Sequence, residues 1–169
     1  MKILLPLAAP LAALVLTSLA TPAVAAGMAD QISVVDPLVR LAPPGARATG
    51  AFMALRNASD KAVRVVSADS TAAKTTELHN HINDGGVMRM RQVKEIVVPA
   101  KGEVLLKPGS YHVMLIDMKV SLREGDQIAI TLGFADGSSK TIEAPVKKPT
   151  VDVPPKGDMG GMDHGKMKH

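Results

Sequence analysis

The alternation of short apolar runs with turn residues constrains the fold of this 169-residue chain more than any other feature. Apolar residues recur at every second position in runs such as 127–134 (QIAITLGF), whereas no stretch sustains the 3.6-residue period of a helix. Gly, Pro, Asn and Asp separate the runs, as at 83–86 (NDGG) and 108–109 (PG). We therefore predict an all-β domain, built as an antiparallel sandwich or barrel. The predicted strands cover residues 32–35, 38–41, 49–56, 62–67, 75–82, 87–93, 95–98, 103–107, 111–118, 127–134 and 140–146.

The beginning of the chain has the pattern of a secretory signal peptide. Lys2 supplies a positive charge, residues 3–19 are apolar, and residues 23–25 (AVA) provide a small-residue cleavage site. An uncleaved membrane anchor is the alternative, but Pro6 and Pro10 interrupt the apolar run. We expect cleavage, export to the periplasm and no stable membrane insertion afterwards. The predicted segments are a signal peptide at 1–25, a domain at 26–147 and a flexible tail at 148–169.

Composition argues against several classes of function. The sequence has no cysteine, so it can form neither a disulfide nor the thiolate ligand that blue-copper electron-transfer sites require. Its formal net charge of +4 is scattered, and two Phe, one Tyr and no Trp do not make the basic, aromatic surface typical of nucleic-acid binding. The sequence contains no G-x-S-x-G motif, which would have indicated a hydrolase. We expect a monomer that is not an enzyme and binds no nucleic acid.

Histidine and methionine are concentrated in the middle of the chain. His112 and Met114 are two positions apart in one predicted strand, so their side chains point to the same face. Imidazole and thioether ligands carry no charge, and thioether sulfur favours Cu(I), whereas Zn²⁺ sites usually contain thiolate, imidazole or carboxylate. The sequence therefore suggests a Cu(I) site. Its candidate ligands are His79, Met90, His112 and Met114.

Other roles for these residue types remain open from the residues alone. A methionine in a β-sandwich is commonly a core residue, as we expect for Met53 and Met118, and a single strand histidine is commonly a surface residue. A structural sandwich used for adhesion would account for the strands but not for the His and Met spacing.

The spacing of these residues resembles a known signature. His79, ten residues, Met90, twenty-one residues and then His112-x-Met114 is similar to the H(M)X10MX21HXM pattern of the periplasmic copper chaperones called PCuAC. The segments GVMRMR, KPGSYHVMLIDM and LREGD are also similar, and the resemblance covers about residues 32–146. It implies a cupredoxin-like, Greek-key β-sandwich with those four residues as Cu(I) ligands.

The resemblance also implies a function and partners. It suggests delivery of Cu(I) to the CuA centre of cytochrome c oxidase or a related copper site, through a copper-accepting oxidase subunit or another copper chaperone. The alternative is a periplasmic copper-buffering or resistance protein without a dedicated oxidase partner.

Further candidate ligands lie outside the four-residue pattern. His81 stands where many relatives have methionine, and it is a spare ligand, a residue that strengthens Cu(II) binding, or a solvated histidine at the edge of a loop. Met88 faces the same way as Met90 and is similarly ambiguous. The C-terminal tail is rich in both residue types, so we predict an auxiliary copper arm that captures Cu(II) or Cu(I). Its candidate ligands are Met159, Met162, His164, Met167 and His169.

Overall fold

A computed structural model describes residues 27–149 of the chain. The predicted signal peptide and the predicted copper arm at 159–169 lie outside these residues. The described part is almost entirely β-structure. Its helix of four residues is too short to cross a membrane.

The strands follow the sequence pattern closely. Most predicted strand ends differ from the observed ends by one or two residues, and the two runs at 32–41 form a single strand. The helix, which the sequence did not predict, is fixed by a distant contact: the backbone N–H of Met28 donates to Asp136 Oδ2 over 2.6 Å. The elements are α1 (Met28–Gln31), β1 (Ile32–Arg40), β2 (Ala48–Asn57), β3 (Val63–Asp69), β4 (Ala73–Asp84), β5 (Val87–Gln92), β6 (Ile96–Val98), β7 (Glu103–Leu106), β8 (His112–Met118), β9 (Gln127–Phe134) and β10 (Ser139–Lys147).

The strands form one hydrogen-bonded path in the order β5-β4-β8-β2-β1-β10-β9-β3-β6, with β7 pairing to β2. All pairs are antiparallel except β1 with β10, where Val39 lies opposite Val146 in a parallel register. The sheet is therefore mixed, not purely antiparallel as predicted. The ladder of β1 with β2 is interrupted between Val35 and Leu38, at Pro37, which has no N–H to donate.

The core lies between two parts of this sheet. One part contains β5, β4, β8, β2 and β1, and the other contains β10, β9, β3 and β6. In β9 every second residue is buried, ending with Phe134 at 2% exposure, while Leu55 of β2 and Leu115 of β8 are fully buried. Each such side chain contributes roughly 1.5–3 kcal/mol through removal of apolar surface from water. Met53 is buried at 3% exposure, which confirms its predicted role as a core residue, and Met118 is half-buried against the core. The all-β fold class is confirmed.

The two neighbouring leucines of β7 allow a matched test of this core. Leu106 is 3% exposed and Leu105 is 47% exposed. We expect Leu106→Ala to lower the free energy of unfolding by about 2–5 kcal/mol, because it leaves a cavity. Leu105→Ala should change it by about 0.5 kcal/mol or less, as is usual at exposed positions. Urea unfolding followed by far-UV circular dichroism measures both values, and equal losses would contradict this assignment of the core.

Candidate metal centre

The pairing of β4 with β8 sets the position of the central histidines. Leu78 lies opposite Val113, and both side chains are buried in the core. Because successive strand residues point to opposite faces, the next pair, His79 and His112, faces away from the core on the other side of the sheet. Their ring centroids are 5.7 Å apart.

His112 is the most buried polar group of this region, at 2% exposure. Its Nδ1 lies 2.9 Å from the carbonyl oxygen of Ser110. A carbonyl oxygen only accepts, so Nδ1 carries the proton and Nε2 carries the free lone pair. That Nε2 atom is buried and has no hydrogen-bond partner among residues 27–149. Such a nitrogen is available to a metal ion.

The surroundings of His112 keep its ring neutral. Burial lowers its pKa because it disfavours the charged form, and the neighbouring His79 and His81 lower it further, against the opposing effect of the Ser110 hydrogen bond. A neutral imidazole is the form that binds metals.

His79 is held in a comparable way by a carboxylate. Its Nε2 lies 2.7 Å from Glu77 Oε2, and an ionised carboxylate only accepts, so the Nε2–H group donates to it. The other ring nitrogen, Nδ1, is buried and has no hydrogen-bond partner in the described part of the chain. Metal-binding histidines commonly donate one ring N–H to a carboxylate or a backbone carbonyl while the other nitrogen binds the metal. His79 and His112 both follow this pattern.

The two thioethers reach the same region from different strands. Met114 follows His112 on its face of β8 and lies opposite Gly50 of β2. Met90 lies opposite His81 in the pairing of β5 with β4, and it is 41% exposed. The site therefore extends from a buried histidine to an exposed methionine.

A cleft of about 380 Å³ is lined by His112, Met114 and Met90. The ring of Phe52 forms one wall, with its centroid 6.1 Å from that of His112. Gly50 makes room for this ring, because a Cβ atom there would lie 3.0 Å from Phe52 Cζ. The lining residues are Arg40, Ala42, Pro43, Ala48, Thr49, Gly50, Phe52, His81, Met90, Pro108, Gly109, His112 and Met114.

The structure brings three of the four predicted ligands into this cleft: Met90, His112 and Met114. The fourth, His79, lies beside His112 in the pairing of β4 with β8 but does not line the cleft. Their role as ligands stays a prediction.

The auxiliary candidates His81 and Met88 differ in their position relative to the cleft. His81 lines the cleft, and its ring centroid is 5.3 Å from that of His112. Met88 lies outside the cleft, opposite Asn83, and is 55% exposed. Among residues 27–149, no three His, Asp or Glu side chains already surround a common metal-sized point. In this arrangement of the side chains, nitrogen and oxygen ligands alone therefore do not form a metal site in the cleft.

Sequence reasoning missed Glu77 and Phe52. Glu77 lies two positions before His79, so the two-residue period of a strand could have placed it on the same face. The four predicted ligands carry no charge, but a carboxylate thus lies beside one of the histidines. Phe52 could not have been found this way, because its position depends on the register of β2 against β8.

Comparison with known proteins places the chain in a family. The family model described as "Putative lipoprotein LpqE-like" matches residues 32–146. The chain belongs to the LpqE-like family. Among curated relatives of this LpqE-like chain, the "Putative lipoprotein Lxx21020" of Leifsonia xyli subsp. xyli is 35% identical over 120 residues, covering 70% of this chain and 71% of the relative. The "Uncharacterized protein RP573" of Rickettsia prowazekii is 32% identical over 143 residues, covering 78% and 79%.

Solved structures with the same fold are PCuAC domains. The solution structure of CuI-DR1885 from Deinococcus radiodurans has a TM-score of 0.59 and 33% identity to this LpqE-like chain, covering 72% of this chain and 83% of that one. The copper-bound PCuAC domain from PmoF2 has a TM-score of 0.60 and 24% identity, covering 70% and 94%. The resemblance to PCuAC domains inferred from the sequence is confirmed.

The lowered pKa of His112 predicts a pH dependence of stability. As pH falls below the ordinary value of 6.5, an unfolded His112 takes up a proton while the buried ring stays neutral. The unfolded state then binds more protons, so its relative stability rises and the fold loses stability between 6.5 and the lower folded pKa. We expect the apoprotein to be more stable at about pH 7.5 than at about pH 5.5 for this reason. The NMR titration of the His112 ring measures the cause directly, and a pKa at or above 6.5 would contradict the assignment.

Proposed function

We propose that this protein binds Cu(I) as cargo and passes it to another copper-accepting protein. The proposed ligands are His79, Met90, His112 and Met114. One observation supports this most strongly: within the described residues, the buried Nε2 of His112 has no hydrogen-bond partner, and His112 lines a cleft that two thioethers also line. A neutral donor set with two sulfur atoms suits a soft monovalent ion.

The carboxylate beside the site strengthens the preference for a cation. Glu77 holds His79 by its Nε2–H, so Nδ1 is the nitrogen left for the metal. The negative charge of Glu77 also attracts the bound ion through His79, in a region where both side chains are only partly exposed. A copper ion bound to four neutral ligands would then have one negative group nearby.

The exposure of the site supports transfer instead of permanent storage. Met90 is 41% exposed on β5, which pairs only with β4 among residues 27–149. A ligand of an acceptor protein can approach the copper there and replace the thioether without opening the core. His112, in contrast, is held by burial and by Ser110, so it would keep the ion until the exchange is complete.

Location and partners follow from the same account. The signal-peptide pattern supports action in the periplasm, where a thiol-free site resists disulfide exchange. The Cu(I)-bound structure of DR1885, which is 33% identical to this chain, supports copper as the cargo. We infer that the acceptor is a respiratory oxidase subunit that assembles a CuA or related centre, or another copper chaperone.

A pair of methionines on β5 tests the ligand assignment. Leucine has a similar size to methionine but no sulfur, so Met90→Leu should weaken Cu(I) binding by roughly tenfold or more, the loss expected when a contribution of about 1.4 kcal/mol disappears. Met88→Leu is the matched control: it lies on the same face of β5, is also exposed, and does not line the cleft. Anaerobic titration against a competing Cu(I) chelator measures both variants. Equal affinities for the two variants would remove Met90 from the ligand set.

Copper transfer distinguishes a chaperone from a buffering protein. The Cu(I)-loaded protein is mixed with an apo CuA domain under anaerobic conditions. We expect the CuA domain to take up copper from this protein faster than it takes up Cu(I) supplied as a chelator complex. Size-exclusion chromatography followed by metal analysis of each protein gives the distribution. Retention of all copper on this protein, with the acceptor still able to bind free Cu(I), would favour the buffering role.

A further inference from the structure

An apolar groove of about 560 Å³ lies on the face of β1, β2 and β7 that points away from the core. Its floor follows from the strand register. Val35 lies opposite Ala54, and Ala54 lies opposite Leu105, so these side chains form a row across three strands. Leu38 and Phe52 form a second pair on the same face. Leu105, at 47% exposure, is the least covered of these residues.

The described chain ends at this groove. Residues 147–149 form one side of it. The end of β10 is held there, because the carbonyl oxygen of Lys147 accepts the N–H of Leu41 over 2.7 Å, and Lys148 Nζ lies 2.6 Å from Glu124 Oε2. Residues 150–169 therefore continue from the edge of an uncovered apolar face.

The first four of these residues, TVDV at 150–153, match the groove in length and pattern. Val151 and Val153 are two positions apart, so in an extended segment both side chains lie on one face. Val153 precedes Pro154, and a residue before proline favours extended backbone. β1 and β7 flank β2, so the floor is about 10 Å across. Four extended residues span about 13 Å, which is enough to cross it.

The charges around the groove are complementary to this segment. Three basic side chains line the groove and have no ion-pair partner among residues 27–149: Arg40, Lys107 and Lys147. Of the two acidic residues that line it, Glu124 is paired with Lys148, which leaves Asp36. Asp152, between the two valines, would add a negative charge where positive charge is in excess.

We propose that residues 150–153 of this chain occupy the groove, with Val151 and Val153 on its apolar floor and Asp152 beside its basic rim. The segment is joined directly to the wall of the groove, and a short tether gives an effective concentration on the order of millimolar. Weak contacts are therefore sufficient for docking. This interaction goes beyond the proposed copper function and does not depend on it.

The groove and the cleft share a wall. Phe52 and Arg40 line both, and the guanidinium carbon of Arg40 lies 5.9 Å from the centroid of the Phe52 ring. A docked segment would rest against Phe52 and limit the movement of this ring. It would also make residues 154–169 begin beside the cleft.

Methyl NMR of the copper-free chain, after removal of the signal peptide, tests the proposal. We expect nuclear Overhauser contacts between the methyl groups of Val151 or Val153 and those of Leu105, and these contacts should not change on dilution. Val151→Ser combined with Val153→Ser should lower the ratio of docked to undocked segment by roughly tenfold or more, the contribution of one buried valine side chain. The methyl resonances of Leu105 should shift accordingly.

Two further variants separate docking from a general effect of the tail. Met159→Ser combined with Met162→Ser is the matched control: it removes two apolar side chains from the same tail and should leave the Leu105 resonances unchanged. Asp152→Lys should weaken docking, and the difference from the parent protein should shrink at high salt, because salt screens exposed charges.

Two results would overturn the proposal. One is the absence of these contacts, with the same Leu105 resonances in the parent protein and in the variant without the two valines. The other is contacts that disappear on dilution or arise between differently labelled molecules, since a second copy would then occupy the groove. The methyl resonances of the buried Leu115 report whether each variant is folded. If the valine variant does not fold, the contacts in the parent protein decide.

Discussion

The burial of one neutral imidazole beside the β4–β8 pairing is the constraint on which the site depends. The register that places Leu78 against Val113 in the core also places His79 against His112 on the opposite face. A slip of one residue along β4 would exchange these faces, burying His79 and exposing Leu78. The apolar core therefore fixes the geometry of the polar site, since the same alternation determines both.

This arrangement has an energetic consequence for the protein without copper. A buried polar atom without a partner costs about 1–3 kcal/mol, and His112 Nε2 is such an atom. A bound ion would satisfy that nitrogen, so loading would stabilise the folded state. Ser110 and Glu77 would reduce the reorganisation needed for binding, because each already holds one ring nitrogen of His112 or His79 and leaves the other nitrogen for a metal.

Local patterns predicted most of the fold, and distant pairings account for what they missed. The strands are marked by a two-residue period and by turn residues, both of which are local in sequence, so nearly every strand was placed correctly. The parallel pair of β1 with β10 joins residues about a hundred positions apart, and α1 depends on Asp136. No local pattern encodes such contacts. The same reason explains which residues of the site could be predicted. His112 and Met114 lie two positions apart in one strand, so their spacing predicts a shared face, whereas Phe52 reaches the site from β2.

The most direct measurement of the central claim is X-ray absorption of the protein loaded anaerobically with one equivalent of Cu(I). We expect a single copper environment with two nitrogen and two sulfur neighbours, corresponding to His79, His112, Met90 and Met114. A spectrum without sulfur neighbours, or with two-coordinate nitrogen ligation alone, would contradict it.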